Sequence, residues 1–184
     1  MIRKTAALIV LALMTTAAAP KHPARKPPAS PTSRPPPAVT PGAARIDARD
    51  PAAMIALLGA AGAKAQVARK EPDAILLAVT STMANFSVQY AQCDAQGRSC
   101  KAALLDSQAA GAPTLAQIND FNQASAMCRG YLDKAGKAHV VMSMLLFADQ
   151  PRDNLVTAMA AWQGCLADFA SFAKDPVSFL ANAA

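Results

Sequence analysis

The sequence predicts an α+β domain in which an antiparallel β-sheet packs against helices. Helical patterns of apolar residues alternate along the chain with short strand patterns, in the order helix, strands, helix, hairpin, helix. Turn residues between the strand patterns allow each strand to return antiparallel to the one before it. The chain has 184 residues, which is enough for one domain of ordinary size and some additional chain.

The first nineteen residues, MIRKTAALIVLALMTTAAA, have the composition of a signal peptide. Arg3 and Lys4 give a basic start, an apolar run follows as far as Met14, and small residues suited to signal peptidase come next. The apolar run is shorter than the roughly 20 residues that span a bilayer, so we expect no transmembrane segment after cleavage. These features predict an exported, periplasmic protein, and the alternative is a buried N-terminal helix.

Residues 20–45 predict a disordered, proline-rich and basic linker. Nine of the 14 prolines lie between Pro20 and Pro41, and the segment has hardly any bulky aliphatic residue to bury. This proline density favours an extended polyproline II spacer with a reach on the order of 80 Å. The alternative is an arm that binds an anionic envelope surface or an acidic partner.

The charge distribution argues against a nucleic-acid partner. Seven of the 18 basic residues lie in residues 1–45, which contain no acidic residue. From Ile46 onward, 11 basic residues stand against all 12 acidic ones, so this part of the chain is close to neutral. The overall charge of +6 therefore comes from the N-terminal segment, and no basic patch suited to phosphate is expected in the domain.

The first predicted elements are one helix and four strands. Asp50 is placed to cap the helix, Pro51 fits its first turn and Gly62 is placed to end it. Its inner face is predicted to contain Met54, Ile55, Leu58 and Ala61. The predicted strands are AKAQVARK, DAILLAVT, NFSVQYAQC and CKAALLDSQ.

The rest of the chain predicts a helix, a hairpin and a final helix. Thr114 and Gln117 have capping-box spacing at the start of the second helix. Its inner face is predicted to contain Leu115, Ile118, Phe121, Ser125 and Cys128. The hairpin is GYLDKAGKAHVVMSMLLF, with Gly136 in its turn. Pro151 opens the final helix, whose apolar stripe is Leu155, Met159, Trp162, Leu166 and Phe169, and residues 176–184 follow as a C-terminal tail.

Three strings of the chain resemble the YbjN-domain family: FSVQYAQCDAQGRSC, INDFNQASAMCRGYLDKAGKAHV and AAWQGCLADF. That family tends to show an apolar strand ending near a cysteine, an Asn-aromatic-Asn helix, a hairpin with Asp and Gly, and a terminal helix with Trp or Phe. The matching positions are Phe86, Tyr90, Cys93, Asn119, Phe121, Asn122, Tyr131, Leu132, Asp133, Gly136 and Trp162. The similarity covers about residues 46–172, within a predicted domain at residues 46–175.

The resemblance implies a fold similar to type III secretion chaperones, whose relatives bind extended protein segments. It brings no catalytic residue set with it, and the family has been labelled loosely as regulators of sensory transduction. This chain departs from the family in its proline-rich arm and in Cys128 and Cys165. What the resemblance implies is binding of a protein or peptide, by analogy of fold.

The four cysteines predict disulfides if the protein is exported. Cys93 ends one strand and Cys100 begins the next, so their Cα atoms are expected within the usual window of about 4.4–6.8 Å. The alternatives are half of a zinc site, which lacks close histidine partners, and a redox pair, which lacks the usual Cys-x-x-Cys spacing. Cys128 and Cys165 are expected to form a second bridge, or else to be two buried thiols.

Other candidate residues predict structural roles. Met142 and Met144 share a strand face and are expected in the core, and His139 is expected as an exposed strand residue. Asn119 and Asn122 are expected to bind backbone groups where the second helix meets the sheet, with a ligand role as the alternative. No acid pair, phosphate loop or nucleophile elbow occurs, so no catalytic residue, metal or cofactor is predicted.

The sequence therefore predicts an exported, non-catalytic domain that binds an unidentified protein or peptide. The binding region is expected at a sheet face or in a groove beside the helices, where an extended segment can gain apolar contacts. The alternative is an envelope-associated protein that acts through its basic arm and uses the domain as a stable head.

Overall fold

The computed structural model describes residues 44–183. The predicted signal peptide and nearly all of the predicted linker lie outside the described residues. The helices are α1 (Pro51–Ala60), α2 (Leu115–Ala124), α3 (Arg152–Lys174) and α4 (Pro176–Ala183). The strands are β1 (Arg45–Ile46), β2 (Lys64–Lys70), β3 (Ala74–Thr80), β4 (Phe86–Ala91), β5 (Ala102–Gln108), β6 (Arg129–Leu132), β7 (Ala138–Leu145) and β8 (Gln150–Pro151). The predicted α+β class is confirmed.

The main sheet contains six strands in the order β2-β3-β4-β5-β7-β6. Every neighbouring pair is antiparallel. At its centre Val88 lies opposite Leu77 on one side and opposite Leu105 on the other, and all three are buried. A separate two-stranded sheet joins β1 to β8. The two edges of the main sheet are therefore β2 and β6.

One face of the main sheet forms the core. On β3 and β5 every second side chain is buried and the others are partly or fully exposed, as expected when one face is covered. The covering helices contact the sheet at three places: α1 at β2, α2 at β6 and α3 at β7. The largest fully buried side chains are Trp162, Tyr90, Phe121, Phe169, Phe172 and Met54. The predicted stripe of α3 is confirmed, because all five of its residues are buried.

The predicted starts of the first two helices are confirmed. The Asp50 side chain accepts the N–H of Ala52 at the start of α1. At the start of α2 the Thr114 hydroxyl accepts the N–H of Gln117, and the Gln117 side chain accepts the N–H of Thr114. Each interaction satisfies an N–H group that has no partner within the helix.

Several side chains lie elsewhere than predicted. Leu115 is 62% exposed because it is the first residue of α2, and only the following turns, with Ile118 and Phe121, reach the core. The helix ends at Ala124, so Ser125 caps it and the buried Cys128 lies in the turn beyond it.

The inner face of α1 also differs from the prediction. Leu57 is buried, whereas Ala61 is exposed. The reason is that α1 ends at Ala60, so Ala61 lies beyond the helix as its C-terminal cap. Met54 and Leu58 are buried as predicted.

The folded part extends further at both ends than the predicted domain. Arg45 begins β1, lies opposite Pro151 and forms an ion pair with Asp149. Residues assigned to a tail form α4, whose Phe179 ring lies 5.9 Å from the ring of Phe121 and 5.8 Å from that of Phe172. These aromatic contacts join the end of the chain to the core.

Candidate functional site

Strand β2 is the most exposed strand of the main sheet. It is seven residues long, and six of its side chains are exposed. Among residues 44–183, no element other than β3 donates or accepts a hydrogen bond at the backbone of this strand. Every second residue of an edge strand directs its N–H and C=O groups away from the sheet, so β2 can accept an additional strand.

The β6 edge is closed by a side chain of α2. Asn122 accepts the N–H of Gly130 at 2.7 Å and donates its amide to the C=O of the same glycine at 3.1 Å. Both groups of Gly130 thus point away from β7, and both have a partner. A Cβ atom on Gly130 would lie 2.8 Å from the Phe169 ring, so a residue without a side chain is required there. The prediction that Asn122 binds backbone groups is confirmed. The same prediction for Asn119 is wrong, because its side chain is exposed.

The two edges therefore differ in what they can bind. β6 has only four residues, packs against α2 and has its central backbone groups occupied by Asn122. β2 is longer, lies at the opposite side of the sheet and has a bulge between Val67 and Arg69. Within residues 44–183, a further strand can therefore add at β2. At β6, strand addition would require Asn122 to move.

The open face of the sheet contains a network around His139. Its Nδ1 lies 2.8 Å from Asp106 Oδ1, its Nε2 lies 3.7 Å from Asp133 Oδ2, and its ring stacks on Tyr131 at 4.9 Å. The Tyr131 hydroxyl donates to Asp106 Oδ2 at 2.6 Å. The prediction of an exposed His139 is wrong, because the neighbouring strands cover its side chain and leave only 16% exposed.

The same network shifts the pKa values of Tyr131 and Asp133. Partial burial, followed by the hydrogen bond to Asp106, raises the pKa of Tyr131 to about 12. The N–H of Lys137 donates to Asp133 and lowers the pKa of that carboxyl below its usual range. Both imidazole nitrogens of His139 therefore face carboxylates.

A groove of about 830 Å³ lies between α3 and the segment that follows β5. Its floor contains Val140, Leu166 and Phe169, which are buried. Gly111, with φ +125°, brings this segment close to α3, since a Cβ atom there would lie 2.2 Å from the C=O oxygen of Ala173. The lining is mainly small and apolar, and Lys174 is its one charged residue within the described part of the chain.

Cys93 and Cys100 lie within disulfide distance across the loop between β4 and β5. Their Cα atoms are 3.8 Å apart, which is closer than the predicted window. The ends of the strands already approach at the Ala91–Ala102 pair, and Gln92 and Ser99 adopt left-handed φ values of 55° and 51°. These two residues turn the cysteines towards each other.

The loop that this pair closes is organised by Asp94. Its carboxylate accepts the N–H of Gln96 at 3.1 Å and that of Arg98 at 2.8 Å. The bond from the backbone of Arg98 lowers the pKa of Asp94. Lys70, at the end of β2, donates to the C=O of Gln96 at 3.0 Å. The Cys93–Cys100 loop therefore supports one end of the open edge.

Cys128 and Cys165 also lie within disulfide distance, with their Cα atoms 5.8 Å apart. Both are buried, and together they join the turn after α2 to the middle of α3. Of the three connectivities that four cysteines allow, the structure has Cys93–Cys100 and Cys128–Cys165.

No metal centre is evident within residues 44–183, where no three His, Cys, Asp or Glu side chains are grouped to hold an ion. Met142 and Met144 lie on the core face of β7, opposite Leu105 and Ala103. Core packing of the two methionines is thus confirmed.

The open edge was not among the predicted sites, although the sequence contains a signal for it. Strand β2 carries Lys64, Arg69 and Lys70 and lacks the alternation of a strand with one covered face. Basic residues in such a segment are typical of edge strands.

Within the described part of the chain, no helix has both the length and the apolar composition needed to cross a bilayer. No protein-family model, no curated protein and no solved structure matches this chain. What the protein does is therefore inferred from its own residues and geometry.

Proposed function

We propose that this protein is an exported, non-catalytic module that binds an extended segment of another protein by adding it as a strand to β2. The observation that carries this proposal is the seven-residue edge whose outward backbone groups have no partner within residues 44–183. Strand addition supplies main-chain hydrogen bonds along the whole edge, and side chains at alternate positions supply selectivity.

The closed β6 edge supports the same proposal. Asn122 occupies the backbone groups of Gly130, so the sheet grows in one direction only. With β6 closed, each chain offers a single position in the main sheet for strand addition. A one-to-one complex is the expected stoichiometry.

Selection from a library of displayed heptapeptides tests the proposal. The enriched peptide is synthesised, and amide hydrogen exchange of the disulfide-bonded chain is followed residue by residue with and without it. Alternate amides of β2 are expected to become protected while those of β6 do not change. A second peptide, N-methylated at every other amide, should not bind, because it cannot form the ladder. Protection in the groove beside Ala173 instead would contradict strand addition.

Export is the second part of the proposal. The basic start and apolar run of residues 1–19 support it. Two cysteine pairs within disulfide distance support it as well, because disulfide bonds persist in oxidising compartments. N-terminal sequencing of the protein from its native cells should begin at residue 18, 19 or 20. A mature protein that begins at Met1 would show that the segment is not removed.

Membership of the YbjN-domain family, with a type III secretion chaperone-like fold, is the third part. The order of a helix, four strands, a helix, two further strands of the main sheet, the short strand β8 and a helix from α1 to α3 supports it. An experimental structure of a YbjN-domain protein is the test, since the same strand order, β2-β3-β4-β5-β7-β6, is expected. A different strand order would count against membership.

A second candidate function belongs to the basic arm. Residues 20–45 contain five basic residues and no acidic one, which favours attraction to an anionic envelope surface. Deleting residues 20–43 leaves β1 intact and separates the two candidates. Loss of salt-sensitive sedimentation with anionic vesicles, with peptide binding at β2 retained, would assign surface attachment to the arm. Unchanged vesicle binding would remove this candidate.

A further inference from the structure

Strand β2 carries positive charge at both of its ends. Lys64, Arg69 and Lys70 lie on it, and it contains no acidic residue. Arg69 pairs with Glu71 just beyond the strand at 3.0 Å, and Lys70 reaches the C=O of Gln96. Lys64 has no ion pair within residues 44–183. The edge therefore presents excess positive charge to an incoming strand.

The register assigns each of these side chains to a face, and Lys70 lies opposite the buried Ile75 on the core face, where its amine reaches the C=O of Gln96. Lys64 lies opposite Thr80 and Arg69 opposite Leu76, both on the open face of the sheet. Residues directly opposite in an antiparallel pair share a face, so Lys64 and Arg69 lie on the open face as well. Val67 lies opposite the buried Leu77 on the core face, yet it is 52% exposed because no strand lies beyond it.

Two occupants are disfavoured by this charge. A second copy of β2 would place its own lysines and arginine beside those of the first, and like charges on neighbouring strands are destabilising. All charged residues of the proline-rich arm are basic, and proline cannot donate to a strand ladder. Neither the same chain nor its own arm is therefore a suitable partner for β2.

We propose that the strand added at β2 comes from a different protein and alternates acidic with apolar residues. Its acidic side chains face Lys64 and Arg69 on the open face, and its apolar side chains cover Val67 on the core face. This inference rests on strand addition at β2 and specifies the chemistry of the partner. Alternation places the two kinds of side chain on opposite faces of the added strand.

Two blocked heptapeptides test the inference, one alternating Glu with Val and the other alternating Lys with Val. Cross-strand ion pairs at an exposed edge contribute at most about fivefold each. With attraction in one case and repulsion in the other, the acidic peptide should bind the full chain about tenfold more tightly. Raising the salt concentration should reduce this preference, because exposed charges are screened.

A charge-reversed variant provides the sharpest comparison. In Lys64→Glu/Arg69→Glu the preference should invert, so that the basic peptide binds more tightly than the acidic one. The matched control is Lys134→Glu/Lys137→Glu, which changes the net charge equally in the turn between β6 and β7. This control should keep the preference for the acidic peptide. Thermal unfolding of both variants shows whether each is folded.

The outcomes separate this inference from the proposed function. If both peptides protect β2 amides with equal affinity, strand addition stands and the acidic partner is wrong. If the preference also inverts in the control variant, net charge and not position is responsible, and the inference fails. If neither peptide protects β2 while the N-methylated and unmethylated selected peptides behave alike, both proposals fail.

Discussion

Asn122 does for Gly130 what a neighbouring strand does for residues inside the sheet. Its amide group offers one acceptor and two donors on a planar frame, which matches the N–H and C=O groups of one residue. Bonds of 2.7 and 3.1 Å satisfy both backbone groups of the buried Gly130. A side chain on a helix can thereby close a strand edge without another strand.

The first prediction concerns this residue. Asn122→Ala should lower the free energy of unfolding by about 1–3 kcal/mol, because two buried backbone groups lose their partners. Asn119→Ala is the matched control: Asn119 is exposed, and within residues 44–183 its side chain makes no hydrogen bond. Alanine favours the helix equally at both positions, so the difference in urea unfolding isolates the edge contact. Equal effects of the two substitutions would assign no role to that contact.

A second prediction at this scale concerns the two tyrosines. Burial raises the pKa of Tyr90, and burial followed by the Asp106 hydrogen bond raises that of Tyr131 to about 12. A raised folded pKa contributes stability that is fully present below about pH 10 and is lost as the pH rises through about 12. An ultraviolet titration should show neither tyrosine ionising near pH 10. Ionisation of Tyr131 near pH 10 in the folded protein would contradict its hydrogen bond to Asp106.

At the scale of elements, the two cysteine pairs have different mechanical roles. Cys93–Cys100 closes a short loop between two strands that are already paired, with a sequence separation of 7. Cys128–Cys165 has a sequence separation of 37 and joins the turn after α2 to α3, with strands β6 and β7 between them in the chain. The longer bridge therefore restricts the unfolded chain more.

Removing each pair should show this difference. On the chain-entropy estimate, Cys128→Ala/Cys165→Ala should cost about 4 kcal/mol and Cys93→Ala/Cys100→Ala about 2.5 kcal/mol. Chemical denaturation of the two double variants, beside the parent in oxidising buffer, measures both values. A larger loss from the short loop would indicate that its contacts with Lys70, and not chain entropy, dominate.

How far the elements could be predicted depends on where their information lies. The capping residues of α1 and α2 and the stripe of α3 are local patterns, and they predicted those helices correctly. The burial of His139 and the exposure of Leu115 depend on which strand and which helical turn lie beside them. That information is tertiary, so periodicity alone gave the wrong environment.

The candidate site was less predictable for a related reason. An edge is defined by the absence of a neighbour, and strand order is not contained in any single segment. The basic composition of β2 indicated an edge, but only the sheet order shows that β6 is the other edge and that Asn122 closes it. The predicted binding region was a sheet face or a groove beside the helices. The groove beside α3 is of the second kind, yet its small, mainly apolar lining selects a partner less clearly than charge selects one at β2.

At the scale of the whole molecule, this asymmetry sets how the protein assembles. Helices cover one face, Asn122 closes one edge, and the remaining edge is protected from other copies by its own charge. The protein should therefore not associate through β2 at neutral pH and low salt.

Neutralising that charge should create such an association. Lys64→Thr/Arg69→Thr/Lys70→Thr keeps residues suited to a strand and removes the repulsion between two copies of β2. Sedimentation velocity at rising protein concentration should then show a dimer that the parent chain does not form by this route. Pairing two β2 edges around a two-fold axis uses up both, so the association should stop at a dimer. Larger assemblies would show that β6 also opens, and a dimer of the parent chain with protected β2 amides would show that charge does not guard this edge.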